Sequence, residues 1–255
     1  MMRLDQLLLA LGLARSRTRA QRLIRHGRVT LEDAPQRPLT KPGEKVPDDS
    51  RLVIAEDAEE RYVSRAGLKL EALLDALELR LDGRVVLDVG QSTGGFTDCA
   101  LARGAVHVIG IEVGHDQLDP TLRDAVRVTC IEGLNARAMA GDARLHAAIE
   151  RCSPLRPTAA VMDVSFISQT LIVPQLAQLL AGGGDLLSLV KPQFEVGPGN
   201  VDARGIVSDT RLYVGVEARI HACCVEHGFS VEAWRESPIR GGDGNREFLL
   251  HARRR

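Results

Sequence analysis

The 255-residue sequence has no CxxC pair, and its five cysteines (Cys99, Cys130, Cys152, Cys223 and Cys224) make an odd set. That pattern argues against a disulfide framework and against a zinc site, and it fits reduced thiols in the cytoplasm. No apolar run is long enough to span a bilayer. The best candidate, residues 171–190, is broken by Pro174, Gln175, Gln178, three consecutive glycines and Asp185. It reads as a helix, a turn and a strand. The N-terminus lacks a secretory pattern, because arginines interrupt every apolar stretch there. Internal repeats and low-complexity tracts are absent. Net charge is nearly absent too: 33 Lys and Arg oppose 34 Asp and Glu. Together these absences leave an ordinary globular chain of one large domain, or one medium and one small.

The charge is unevenly spread. The first 28 residues hold Arg3, Arg15, Arg17, Arg19, Arg22, Arg25 and Arg28 against one acid, Asp5. An all-arginine segment suits phosphate recognition; a solvated helix face is the alternative. Leu4, Leu7, Leu8 and Leu11 recur at helical spacing, closed by Gly12. Ser16 is a plausible N-cap for a second helix through Ile24, stopped by Gly27. A short β region starts at Val29, is punctuated by Pro35, Pro38, Pro42 and Pro47, and ends with a strand at 51–54. The acidic run 56–60 reads as a linker. The expected division is therefore a small module at 1–56, a linker at 57–62 and a larger domain at 63–255.

From Tyr62 onward strands and helices alternate. Strands are expected at 85–89, 106–113, 126–131, 159–164, 186–190, 229–234 and 247–252. Helices are expected at 95–103 and 210–227. The alternation predicts an α/β fold, a parallel sheet with helices on both faces. The turn after the first of these strands runs Gly90-Gln91-Ser92-Thr93-Gly94-Gly95-Phe96. Its G-x-x-x-G-G spacing is a poor pyrophosphate cradle beside the G-x-G-x-x-G of dinucleotide-binding proteins. It fits the glycine motif of an S-adenosylmethionine-dependent methyltransferase better; a tight turn without a ligand is the other reading. Glu112, ending the next strand, could accept hydrogen bonds from both ribose hydroxyls of a nucleoside, or be an ordinary strand-end acid.

Four charges stand out: Lys69, Asp163, Lys191 and Glu247. Asp163 and Lys191 end apolar runs, and Glu247 begins one. Charges at the ends of buried strands are costly unless paired or functional. Two lysines and two carboxylates so placed suggest a site that removes a proton from a weakly acidic hydroxyl.

The residues resemble a known family. The matching stretches are Arg3-Leu4-Asp5, Val63-Ser64-Arg65, Gly67-Leu68-Lys69-Leu70, Ser92-Thr93-Gly94-Gly95-Phe96-Thr97-Asp98-Cys99, Asp163-Val164-Ser165-Phe166-Ile167-Ser168 and Val190-Lys191-Pro192-Gln193-Phe194-Glu195. Ser237-Pro238-Ile239 and Gly244-Asn245-Arg246-Glu247-Phe248 complete the set. Over essentially its whole length the chain resembles the TlyA-type, hemolysin-A-like ribosomal RNA 2′-O-methyltransferases. These join an S4 RNA-binding domain to an FtsJ-like methyltransferase domain. Four departures are visible: Ala66 where glycine is usual, Gln91 for alanine, Glu112 for aspartate and Arg240 for lysine. Gln91 is expected to add bulk near the methionine part of the cofactor.

The resemblance implies a Rossmann-like class I methyltransferase with a mostly parallel seven-stranded sheet, preceded by a small α+β S4 domain. It implies methylation of a ribose 2′-hydroxyl, of cytidine, in ribosomal RNA or ribosomal subunits, with S-adenosyl-L-methionine as cofactor and neither metal nor membrane. Lys69, Asp163, Lys191 and Glu247 would be catalytic, with Lys191 the base or main steering group and Lys69 assisting. Gly90, Ser92, Thr93, Gly94, Gly95, Phe96, Glu112, Asn135 and Asp163 would bind cofactor, although Asn135 also reads as a turn residue. Arg3, Arg15, Arg17, Arg19, Arg22, Arg25 and Arg65 would contact RNA. Residues 196–209 could close over substrate or be a mobile loop. Competing readings are a pore-forming hemolysin and an RNA-binding protein without catalysis.

Overall fold

The computed structural model describes residues 1–14, 17–55, 61–152, 156–242 and 244–255. These residues divide into two compact units, Met1–Arg61 and Tyr62–Arg255. Arg15, the cap candidate Ser16 and the acidic run 56–60 lie outside the described residues. Tyr62, expected in the linker, is instead buried with the second unit, and its hydroxyl donates to Glu71 Oε1 at 2.8 Å.

In the first unit β1 (Met2–Arg3) runs straight into α1 (Leu4–Ala10), and α2 (Arg17–Arg25) follows. Leu4, Leu7 and Leu8 recur on one face of α1 and bury against Leu23 and Ile24. Strands β2 (Val29–Leu31), β3 (Ala34–Leu39), β4 (Lys45–Val46) and β5 (Leu52–Ile54) close the core. They form an antiparallel sheet of order β3-β2-β5 and a β1-β4 pair. Asp5, in the first turn of α1, is fully buried. It accepts hydrogen bonds from Arg3 at 2.9 and 3.0 Å, Arg17 at 3.2 Å and Gln21 at 3.1 Å. The Arg3 guanidinium, helped by Gln21 and Arg17, outweighs burial and holds this carboxyl well below the usual range. Two of the arginines expected at RNA are thus tethered by a buried acid while their side chains stay 40% and 58% exposed. Tethering fixes where those charges are presented, and it lowers the entropy that phosphate contact would otherwise cost.

The second unit is built on β6 (Val85–Val89), β7 (His107–Ile111), β8 (Val128–Ile131), β9 (Ala159–Met162), β10 (Asp185–Val190), β11 (Phe229–Glu236) and β12 (Phe248–Arg254). Their order is β11-β12-β10-β9-β6-β7-β8. β12 runs antiparallel to both its neighbours; all other pairings are parallel. This is the mostly parallel seven-stranded sheet expected of a Rossmann-like methyltransferase. Every residue of β6, β9 and β10 is buried, as a sheet covered on both faces requires. Along β6, Val85, Leu87 and Val89 join one core and Val86 the other. The helices α3 (Ala66–Ala76) and α4 (Gly95–Ala102) cover the Val86 face. The short α5 (Pro120–Arg123) follows β7, and α6 (Ala143–Cys152), α7 (Val173–Leu179) and α8 (Leu212–Glu226) cover the other face.

Strand order reverses between β9 and β6, because β6 pairs with β7 on one side and β9 on the other. In open α/β sheets the crevice for a ligand lies beyond the strand carboxyl ends at such a point. Three strands are shorter than expected. Val106, Val113 and Val126 are 48%, 66% and 93% exposed, outside the sheet. Asp163 and Val164 leave β9 and line the crevice.

Candidate active site

A cleft of about 910 Å³ opens beyond the carboxyl ends of β6, β7 and β9. Gly90, Ser92, Glu112, Asn135 and Asp163, all predicted cofactor residues, line it. Gly90 has a φ of +82°, and a Cβ there would lie 2.8 Å from the Asp163 carbonyl oxygen. Only glycine allows β6 and β9 to end this close together. Glu112 accepts from the Ser92 N–H and the Gly114 N–H, both at 2.8 Å. Its carboxylate thus ties the glycine turn to the end of β7, and each oxygen still has a free lone pair for a ribose hydroxyl. Asn135 caps the 3₁₀ turn Ala136–Gly141 by accepting from the Arg137 N–H at 3.0 Å. The turn-residue reading therefore holds for it, at a position that also faces the cleft.

Thr93, Gly94, Gly95 and Phe96 do not line the cleft, and the structure gives them other work. Thr93 accepts the Asp119 N–H at 3.2 Å. Gly94, with φ +94°, caps α4 where a Cβ would strike Leu122 and Leu118 at 2.5 and 2.7 Å. Phe96 is buried in the core under α3. A Cβ on Gly95 would lie 3.0 Å from the Gly67 nitrogen, and one on Gly67 would lie 2.7 Å from the Gly95 carbonyl. These two glycines let the starts of α3 and α4 touch.

That contact positions the first lysine. Lys69, two residues after Gly67, is 8% exposed and pairs with Glu247, which is 2% exposed and precedes β12. Burial pushes the Glu247 carboxyl up, and the charges of Lys69 and Lys191 only partly offset this. The second pair is Lys191 with Asp163, at 2.6 Å. Lys191 also donates to Ser165 Oγ at 3.0 Å. The charges of Lys191 and Asp163 act on Glu247, so a residue of α3 and the residues just after β9, just after β10 and just before β12 converge on one cluster, with Asp163 at the cleft.

The glutamine is placed differently from expectation. Gln91 is 3% exposed and does not line the cleft. Its side chain fills the space beside Gly110, where any Cβ would lie 2.0 Å from it. It donates to Thr97 Oγ1 at 2.9 Å, and Thr97 donates to Asp88 Oδ2 at 2.6 Å. Gln91 therefore adds no side-chain bulk to the cleft; it packs under the turn.

Ser165, Phe166, Gln193 and Phe194 also line the cleft, yet residue-type reasoning gave them no role. Phe166 is 90% exposed and has a φ of +62°, a strained conformation for a bulky residue. Its ring lies 4.8 Å from that of Phe194. The available signal was their position, directly after the strand-end charges Asp163 and Lys191. Arg65 is exposed at the start of α3. Among the described residues, no cluster of His, Cys, Asp and Glu could hold a metal, and no helix is long and apolar enough to cross a membrane.

Residues 62–254 match the FtsJ-like methyltransferase family, and residues 2–49 match the S4 domain. The chain is 38% identical to the 16S/23S rRNA (cytidine-2′-O)-methyltransferase TlyA of Mycobacterium tuberculosis, over 98% of this chain and 89% of that one. A solved structure from Streptococcus thermophilus, named as a candidate hemolysin, shares 39% identity and a TM-score of 0.71, over 99% of this chain and 88% of the other. An S-adenosylmethionine dependent methyltransferase from Mesorhizobium loti, 14% identical with a TM-score of 0.51, covers 73% of this chain and 98% of its own, and shows the shared fold. With an S4 domain ahead of its catalytic fold, the chain belongs to the TlyA-type branch of the FtsJ-like methyltransferases.

Proposed function

We propose that this protein transfers a methyl group from S-adenosylmethionine to the ribose 2′-hydroxyl of a cytidine in ribosomal RNA, in the cytoplasm. The observation that carries this reading is the meeting of Lys69–Glu247 and Lys191–Asp163 at one edge of the cleft. The cleft has the size of a cofactor site. Gly90 would leave bare backbone beneath the ligand, and Glu112 would hold its ribose hydroxyls. When bound, this cofactor supplies an electrophilic methyl on a sulfonium.

The remaining chemistry belongs to the chain. A ribose hydroxyl becomes a competent nucleophile only as its proton is drawn away. Lys191, acting as its uncharged amine, is the group we assign to that task, and it becomes an ammonium beside Asp163 as it takes the proton. Asp163 and Ser165 aim its amine from the cleft wall. Lys69, fixed by Glu247, supplies the positive charge that stabilises the developing alkoxide. Glu247 holds the Lys69 amine at the cost of its own burial. The exposed ring of Phe166 at the mouth offers a face on which an unstacked base can lie. The arginines of the first unit, Arg3, Arg17, Arg19, Arg22 and Arg25, with Arg65, would engage phosphates and hold the RNA in register.

The test is K191A against unmethylated ribosomal RNA. Methyl transfer should fall about 10³-fold, as loss of a general base does, while calorimetric affinity for S-adenosylmethionine stays close to wild type. Turnover at the wild-type rate would overturn the assignment of Lys191. Absence of any ribose methyl in the wild-type reaction, read by nuclease mapping and mass spectrometry, would overturn the function.

A further inference from the structure

Two segments form the catalytic wall: residues 163–170, which follow β9, and residues 191–197, which follow β10. They are joined by a ladder of contacts in matching order. Lys191 reaches Asp163 and Ser165 at 2.6 and 3.0 Å. Phe194 packs on Phe166 at 4.8 Å. Glu195 then accepts the Ser168 hydroxyl at 2.7 Å and the Gln169 N–H at 2.8 Å, one on each carboxylate oxygen. The first two rungs border the cleft. The third is buried, with Glu195 only 6% exposed.

The buried rung is itself anchored. Gln169 donates through Nε2 to the Leu189 carbonyl at 2.7 Å and accepts from Ser188 Oγ at 2.8 Å, both on β10. Arg219 of α8 donates to the Glu195 carbonyl and lies 3.5 Å from its carboxylate. A buried carboxylate with this many partners is expensive to keep unless the geometry it fixes is useful. What it fixes is a strained loop. Phe166, with φ +62° and almost no burial, has little of its own to hold it in that conformation. A strained residue persists only where its surroundings over-determine it. Ser168 and Gln169, two and three residues on, supply that constraint through Glu195.

From this ladder we infer that Glu195 is a positioning residue: its carboxylate clamps the 163–170 segment so that Phe166 and the Lys191 contacts stay aligned for the incoming nucleotide. The inference rests on the methyl-transfer reading above, with Glu195 acting through the loop and touching no substrate itself.

The experiment is a double-mutant cycle on kcat/KM for RNA, using E195A, F166A and the pair. E195A should lose at least about tenfold. The double variant should fall no more than about threefold below the worse single, because coupled residues share one loss. E195Q keeps an acceptor for the Gln169 N–H, and its amide N–H can donate to the Ser168 hydroxyl oxygen, so it should restore most of what E195A loses. Hydrogen exchange at the Gln169 amide, measured on the same proteins, should speed up in E195A and not in E195Q. If E195A fails to fold, S168A removes the hydroxyl half of the clamp and enters the same cycle with F166A. Losses that multiply, or wild-type kcat/KM in E195A despite a freed Gln169 amide, would overturn the positioning role. If the wild-type protein methylates no ribose, the parent reading falls instead, and the exchange result still decides whether the clamp exists.

Discussion

The strand β10 carries a buried charge cluster at each end, and the two are built on opposite principles. At its start, Asp185 is fully buried between a histidine and two arginines: His251 Nε2 at 2.7 Å, Arg84 at 2.6 Å and Arg253 at 3.1 Å. Burial pushes this carboxyl up, but hydrogen bonds from His251, Arg84 and Arg253 outweigh it and hold the group below the usual range. At the other end, Glu247 immediately precedes Phe248, the β12 partner of Val190, and pairs with Lys69. There burial wins over the lysines, and the carboxyl is pushed up. The first cluster is over-compensated and favours the fold. The second is under-compensated, as expected where charge is kept for chemistry and not for stability.

Substitution at each end should separate these principles. D185N removes the charge from a well-paired buried acid, so unfolding in urea should show a loss of about 3 kcal/mol, the cost of breaking a buried pair from one side. The loss should be present at neutral pH and shrink on acidification. Asp185 titrates below its unfolded value, so its contribution is full above that value and disappears as pH falls through the folded one. Methyl transfer per folded molecule should be close to wild type, because Asp185 lies at the far end of the sheet. E247Q should show the reverse pattern. Removing an acid that burial already penalises should cost less than half as much stability as D185N, while methyl transfer drops by roughly 10²-fold through loss of the charge that aims Lys69. A greater stability loss in E247Q than in D185N would break the comparison.

The same contrast explains what was legible in the sequence. The class of the second unit could be read from its alternating buried strands and helices, and Asp163, Lys191 and Glu247 from their places at strand ends. Val106, Val113 and Val126 misled the strand limits because β-branched residues read as strand whether or not a neighbour strand pairs with them. Which lysine pairs with which acid was not legible. Lys69 and Glu247 are 178 residues apart and meet only once α3 and the start of β12 are packed on the same sheet. The place of the Gln91 side chain was not legible for a similar reason. It goes where Gly110 leaves room, a vacancy that no local pattern announces. The tether of Arg3 and Arg17 to Asp5 was hidden likewise, since a charge run says nothing of which members are already engaged.

A third buried acid lies between these extremes. Asp88, on β6, is fully buried and accepts one hydrogen bond, from Thr97. Burial raises it to about 7, with the charges of Asp163 and Glu112 adding to the rise and Thr97 opposing it. Its ordinary value is 3.8. The folded protein therefore holds this proton more tightly than the unfolded chain. Its contribution to stability is greatest below the ordinary value, declines as pH rises toward the folded value, and is level above it. D88N keeps the acceptor for Thr97 and removes the titration, so the difference in stability between D88N and wild type should grow in favour of D88N from pH 5 to pH 7.5. Glu247 and Glu195 also rise, and Asp5 and Asp185 fall, but they titrate alike in both proteins and cancel in the difference. Urea midpoints at the two pH values check this. A difference that does not change with pH would mean Asp88 is ionised throughout, and that the Gln91–Thr97–Asp88 chain under the cofactor turn carries a full negative charge at the sheet's switch point.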